Sequence, residues 1–459
     1  MTDSVPPRDD EANRLSRRIQ RYAQVGTNVG GVAAGMATRY MLGLTNGREK
    51  NAVALAEALG GLKGPLMKVA QLLSTIPDAL PPEYAEELAK LQVEAPPMGW
   101  AFVKRRMAAE LGADWDTKFT EFSRESVASA SLGQVHKAKL ADGTVLACKL
   151  QYPDMQSAVE ADVNQLRMIL AVQRRIEPNV DTSEIPGEIA ARLREELDYD
   201  REARHMALYG LIFRDDPSIC VPRVRPELST RRLLTMDWLD GGRLLDYKSR
   251  PQEERNQITR ALFRAWWYPF SHYGVIHGDP HLGNYTIFER DGRAAGINLL
   301  DYGCVRTFRP PFVQGVIDLY RGLARNDRDL VVHAYETWGF RGLSNELIDV
   351  LNVWARFIYG PLIDDRVRRI AEGVSPGHYG RKEAFAVKRG LIAKGPVRLP
   401  REFVFMDRAA IGLGAVFLHL DAELNFHQLF NETIEDFKIE DVRARQIAAF
   451  TETGVPLPE

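Results

Sequence analysis

Only three cysteines occur in the 459 residues: Cys148, Cys220 and Cys304. They are too few and too widely spaced for a disulfide framework or a zinc ligand set, and they fit buried thiols in a reducing compartment. Net charge is equally scarce, since 60 Lys and Arg stand against 62 Asp and Glu, a balance of −2. No basic field is available for nucleic acid, and no nucleic-acid partner is expected. Long apolar runs are also missing. Ala409–Leu420 is apolar over only twelve residues and is read as a core helix. Gly26–Thr38 is uncharged but too polar and glycine-rich for a membrane span. Residues Met1–Ala12 carry Asp3, Arg8, Asp9, Asp10 and Glu11. That is too acidic for a transit peptide and lacks the core of a signal peptide, so it reads as a disordered tail. No repeat or low-complexity tract occurs. What remains is a globular protein, 45% hydrophobic and 27% charged, long enough for two lobes plus extensions.

What is present is concentrated in His277-Gly278-Asp279-Pro280-His281-Leu282-Gly283-Asn284 and in Leu300-Asp301-Tyr302-Gly303. Asp279 and Asn284 have the offset of Asp and Asn in the H-R-D-x-x-x-x-N catalytic loop of protein kinases. Between the two stretches, Tyr285–Glu289 and Ala294–Leu300 read as strands around an Asp291-Gly292 hairpin turn. Phosphoryl transfer needs metal ions on the phosphates and a carboxylate beside the attacking oxygen. Asn284 and Asp301 supply metal ligands in that scheme, and Asp279 orients or deprotonates the nucleophile. His-Gly-Asp alone would equally suit an Asp-rich loop of another α/β enzyme. The two pieces joined by a hairpin make the kinase-type reading specific.

Upstream, Val145-Leu146-Ala147-Cys148-Lys149 matches the V-A-I-K strand, whose Lys149 would contact α- and β-phosphates. It follows the turn Ala141–Thr144. The phosphate loop lacks the glycines of G-x-G-x-x-G, because Ala128-Ser129-Ala130-Ser131-Leu132-Gly133 holds one. Backbone N–H groups can still cradle phosphate there, with close approach restricted by Cβ atoms. A plain small-residue turn is equally consistent with these residues. No A-P-E segment follows Asp301. Instead, Arg309-Pro310-Pro311 leads into a helical pattern at Val313, Val316, Ile317 and Tyr320. A polypeptide substrate has no platform, which points to an ATPase or a small-molecule kinase rather than a conventional protein kinase.

From residue 20 to about residue 435 the chain resembles the UbiB-type, or AarF-type, atypical kinase-like proteins that support ubiquinone biosynthesis. The resemblance rests on ordered motifs. K-x-G-Q reads Lys68-Val69-Ala70-Gln71, A-A-A-S reads Ala128–Ser131, E-x-D reads Glu196-Leu197-Asp198, and D-F-G reads Asp301-Tyr302-Gly303. Ala70, Ser129 and Tyr302 depart from the pattern, and every charged catalytic position is intact. Lys68 and Gln71 share a helix face. On a helix expected from Glu184 to Arg214, Glu196 and Glu202 project about 120° apart, so Glu202 is assigned to Lys149 and Glu196 with Asp198 to Lys68. The resemblance implies the same pairing, with Lys68, Gln71, Glu196 and Asp198 regulatory. Without it, the acidic run would read as a solvated helix face.

The expected fold is α+β, a protein-kinase-like two-lobe fold. A tail (1–12) and an N-terminal helical extension (13–113) precede an N-lobe with inserted helices (114–240) and a helical C-lobe (241–459). Arg231–Trp238 reads as a strand leading to a Leu239–Gly242 hinge, with Met236 at a gatekeeper position and Asp237 and Trp238 offering backbone to adenine. The helix Ala158–Arg175 is expected beside it. The implied cofactors are ATP and Mg²⁺, and the implied acceptor class is a quinone precursor or isoprenoid lipid. The basic segment Arg14–Arg21 and the apolar Gly26–Thr38 suit a peripheral membrane helix or homodimer contact. A helix packed on the core is the alternative. The expected location is cytoplasmic, peripheral to the inner face of the membrane. A nucleotide-gated, pseudokinase-like scaffold and a true protein kinase stay open as other functions.

Overall fold

The computed structural model describes residues 98–130, 132–153, 155–160, 163–164, 167, 185–374, 379–394 and 401–458. Lys68, Gln71, Ser131, the tail and the basic and apolar N-terminal segments lie outside these, as does most of the expected 158–175 helix. The chain divides into two units. One comprises residues 1–200 and 224–238, the other 201–223 and 239–459.

The first unit is built on an antiparallel sheet. Helix α1 (Trp100–Leu111) is followed by strands β1 (Glu121–Phe122), β2 (Ala128–Ala130), β3 (Gly133–Lys139) and β4 (Val145–Gln151). After helix α2 (Ile185–Glu196) the chain returns as β6 (Leu233–Asp237). The order is β1-β3-β4-β6, with β2 also pairing with β3. Alternation along β3 sends Gln134, His136 and Ala138 inward, the period of a half-buried strand. Phe102, Val103 and Met107 of α1 join Leu146, Cys148, Leu150, Ile189, Leu193 and Leu233 in one buried cluster. The boundary expected after residue 113 therefore cuts through a single core.

The long helix expected from Glu184 to Arg214 is in fact two. Helix α2 stops at Glu196 and α3 (Tyr199–Ile212) starts after Leu197-Asp198. The Leu197 carbonyl accepts the Gln151 amide at 2.8 Å, which takes it out of the helical ladder. Glu196 and Glu202 therefore lie on different helices, and the 120° projection expected on one helix does not hold.

The second unit begins with α3 from Arg201 onward and β5 (Ile219–Cys220). Helix α4 (Gln252–Tyr273) runs into β7 (Val275–His277), then the hairpin β8 (Tyr285–Arg290) and β9 (Arg293–Leu299), then β10 (Val305–Thr307). Strands β5-β9-β8 form one sheet and β7-β10 another. The hairpin turn is the expected Asp291-Gly292, both at positive φ (53° and 75°), the primed geometry that matches strand twist. Helices α5 (Pro310–Arg325), α6 (Arg328–Thr337), α7 (Asn345–Ile363), α8 (Arg381–Lys394), α9 (Arg401–Leu420), α10 (Phe426–Ile434) and α11 (Ile439–Thr453) complete it. Pro310 opens α5 at the position where its missing N–H costs nothing. The apolar run Ala409–Leu420 forms the C-terminal part of α9 and buries Ala409, Leu413, Val416, Phe417 and Leu420. No helix among the described residues is long and apolar enough to cross a membrane.

Candidate active site

In the second unit, β7 and β10 pair antiparallel with His277 opposite Val305, which sets His277–Asp279 beside Asp301–Cys304. The Gly278 amide donates to the Cys304 carbonyl at 3.0 Å. A Cβ on Gly278 would stand 2.7 Å from that oxygen, so this position admits glycine where protein kinases carry arginine. His277 is buried. Its Nδ1 accepts the Asp279 amide at 3.2 Å. The proton therefore sits on Nε2, which donates to the Asp301 carbonyl at 2.7 Å. One imidazole thus ties the candidate base to the candidate metal ligand.

The same economy fixes Asn284. Its Nδ2 donates to the Asp279 carbonyl at 3.0 Å, which reserves Oδ1 as the oxygen donor. The Leu300 amide donates to the Asn284 carbonyl at 2.9 Å, joining the end of the catalytic loop to the start of Asp301-Tyr302-Gly303. Asp301 Oδ1 accepts the Gly303 amide at 3.1 Å. Tyr302 is buried, donates to the Leu299 carbonyl at 3.1 Å and meets the Tyr209 ring edge-on at 5.3 Å. Among the described residues no group of three or more His, Cys, Asp or Glu side chains could hold a metal. A cation at this place would rely on one carboxylate and one amide oxygen, with phosphates and water completing the shell. That donor set fits Mg²⁺, which binds through one or two carboxylates and substrate phosphates rather than a full protein cage.

In the first unit Lys149 is buried on β4, opposite Val135 on one side and Leu234 on the other. Its Nζ lies 5.4 Å from the centre of the Tyr199 ring. Ala128, Ser129 and Ala130 pair with Val135, Gln134 and Gly133, so most of the expected phosphate loop is strand. Met236 is buried opposite Ala147 and Asp237 lies opposite Leu146. The Asp237 carboxylate is gripped by Arg225 at 2.7 and 2.8 Å. The Trp238 amide donates to the Val145 carbonyl at 2.9 Å. Strand pairing thus runs one residue beyond Asp237 and occupies the Trp238 N–H. Glu196 and Asp198 flank the helix break and are half-buried. In the second unit Glu202 is buried on α3.

A sequence model of the ABC1 atypical kinase-like domain matches residues 90–335. The chain belongs to this family. It is 30% identical over 307 residues to atypical kinase COQ8, mitochondrial, of Saccharomyces cerevisiae, covering 64% of this chain and 61% of that protein. It is 30% identical over 280 residues to ACTIVITY OF BC1 COMPLEX KINASE 8, chloroplastic, of Arabidopsis thaliana, covering 60% of this chain and 36% of that one. The match therefore spans well under two thirds of these relatives. The fold is similar to that of Rv3197 from Mycobacterium tuberculosis, solved in complex with erythromycin. That likeness has a TM-score of 0.58 at 28% identity and covers 87% of this chain and 98% of that one.

Within this ABC1 frame, the structure adds residues that motif reading missed. His277 was seen only as the first letter of its motif, and its bridging role needs the β7–β10 pairing. Asn298 on β9 is buried and donates to the Asp240 carbonyl at 2.9 Å and to Thr286 Oγ1 at 3.0 Å, pinning the start of the Gly241-Gly242 turn. An asparagine inside Gly296-Ile297-Asn298-Leu299 was the available signal. Arg201, His205 and Tyr209 on α3 gave none, being ordinary residues of a polar helix.

Proposed function

We propose that this ABC1-family protein is a Mg²⁺-dependent ATPase or small-molecule phosphotransferase serving quinone or isoprenoid lipid metabolism. The observation that carries the reading is the His277 bridge, which holds Asp279, Asn284 and Asp301 in one hydrogen-bonded frame. Asn284 and Asp301 hold the metal, which neutralises charge on the phosphates when bound. Asp279 orients or deprotonates the attacking oxygen. Lys149 contacts the α- and β-phosphates, with the Ala128–Ser131 segment covering them; its pairing with Glu202 is carried by the family resemblance alone. A short acceptor, or water, suits the chain after Asp301, because β10 and α5 follow at once and leave no activation segment. The quinone assignment rests on the family resemblance, and peripheral membrane binding on the Arg14–Thr38 segment.

Thermal shift with ATP, with and without EDTA, tests the metal assignment. Wild type gains stability only with Mg²⁺, and Asp301→Asn loses that Mg²⁺-dependent response. Equal Mg·ATP binding by Asp301→Asn sinks the assignment. Asp279→Asn lowers steady-state turnover with binding intact; unchanged turnover favours the scaffold reading instead. Quinones and their precursors, profiled in a deletion strain, identify the acceptor. Lys68→Ala is expected to alter turnover or autophosphorylation without abolishing binding.

A further inference from the structure

The backbone from Asp301 to Val305 is held through the carbonyls of Asp301, Gly303, Cys304 and Val305. The Asp301 carbonyl accepts His277 Nε2 at 2.7 Å. The Gly303 carbonyl accepts Arg201 Nη1 at 2.9 Å, and the Cys304 carbonyl accepts the Gly278 amide. The Val305 carbonyl accepts Arg201 Nη2 at 3.0 Å. Two of these contacts come from Arg201 on α3. Arg201, His205 and Tyr209 follow each other at intervals of four on α3, and Tyr209 closes the row against the Tyr302 ring. Arg201 alone uses both arms of its guanidinium, a rigid fork whose bonds to carbonyls two residues apart fix direction as well as distance.

We propose that Arg201 is a positioning residue for Asp301, setting the metal-holding carboxylate through the backbone of Gly303. The chain of contacts is short. Arg201 fixes the carbonyl of Gly303, and the amide of the same residue donates to Asp301 Oδ1 at 3.1 Å. If Gly303 shifts, the bond that orients the carboxylate shifts with it. Lysine can supply the charge at this place but not the fork. The proposal rests on the reading of Asp301 as a metal ligand.

Two measurements on the full chain test it. The first is the Mg²⁺ dependence of ATP affinity, by fluorescent-nucleotide titration. Arg201→Ala raises the Mg²⁺ half-saturation roughly 10- to 100-fold, as loss of groups that orient a metal ligand does, and Arg201→Lys falls between it and wild type. The second is amide hydrogen exchange without nucleotide. Peptides covering Asp301–Thr307 lose protection in Arg201→Ala while those of α5 and α4 keep theirs. Identical Mg²⁺ dependence in wild type and Arg201→Ala overturns the proposal alone. Absence of any Mg²⁺ dependence in wild type overturns the metal reading and the proposal with it. Uniform loss of protection across the second unit shows that the arginine is merely structural.

Discussion

Two short segments expected to face the phosphates, the turn ahead of Lys149 and the loop after Asp301, are built by opposite means. The first is held by strand pairing: Ala128–Ala130 lie on β3 in register, and β3 lies on β4. The second has the brief β7–β10 ladder and is held chiefly by side chains reaching backbone, from His277 and Arg201. A ladder tolerates many side chains but no loss of space between strands. A loop held by side chains tolerates added bulk wherever there is room but depends on each donor. The contrast teaches which substitutions each segment will bear.

The largest expected difference lies in two glycines. A Cβ on Gly133 would stand 2.3 Å from the Leu150 carbonyl oxygen, so Gly133→Ala must part β3 from β4. It is expected to cost about 1–3 kcal/mol in urea unfolding. On Gly303 the only close atom is Asp301 Oδ1 at 3.5 Å, an ordinary contact. Gly303→Ala is expected within about 0.5 kcal/mol of wild type. Equal losses at the two positions would erase the contrast.

A pH effect comes next. Burial, reinforced by the charges of Arg201 and Arg204, pushes His205 down to about 3. Above pH 6.5 the imidazole is neutral in both folded and unfolded chains and contributes nothing. As pH falls below 6.5 only the unfolded chain takes up the proton, so stability is lost, and the loss continues until about pH 3. At pH 5 the penalty is on the order of 2 kcal/mol. Denaturant melts of wild type and His205→Gln at pH 7 and 5 measure it. If both lose the same amount, His205 does not carry the penalty. His272, pushed down to about 4 by burial and then by Arg445, adds a loss of the same sign in both proteins.

Tyr302→Phe removes one buried hydrogen bond, to the Leu299 carbonyl, and restores the family's usual residue. About 1 kcal/mol of stability should go, with Mg²⁺ dependence unchanged. A shifted Mg²⁺ dependence would give the hydroxyl a part in the site. The smallest effect is a null one. Burial pushes the Cys148 thiol up to about 12, so iodoacetamide at pH 8 should leave it unlabelled in the folded protein while Cys304, partly exposed, reacts and Cys220, whose thiol burial also pushes up, reacts more slowly. Mass mapping that finds Cys148 alkylated under native conditions contradicts this.

Much of the frame was legible in the chain. The Asp291-Gly292 turn, the strands around it and the Pro310 helix start follow from local chemistry, and local chemistry is what a sequence displays. Motif spacing placed Asp279, Asn284 and Asp301 in one neighbourhood. What failed involved partners distant in sequence. The break at Leu197 depends on Gln151. The grip of Arg201 on Gly303 spans a hundred residues, and nothing near Arg201 announces it.

The parallel pairing of β5 with β9 bears on how the protein is made. Ile219 and Cys220 lie opposite Ile297 and Asn298, yet they leave the ribosome far earlier. At synthesis rates of 5–20 residues per second, the roughly eighty intervening residues take about 4–16 s. For that interval Tyr209, buried in the finished protein, has no Tyr302 ring to meet it. Residues 201–223 are thus an early-made piece of a late-completed unit. Newly made chains stalled before residue 297 should be the ones that holdase chaperones retain.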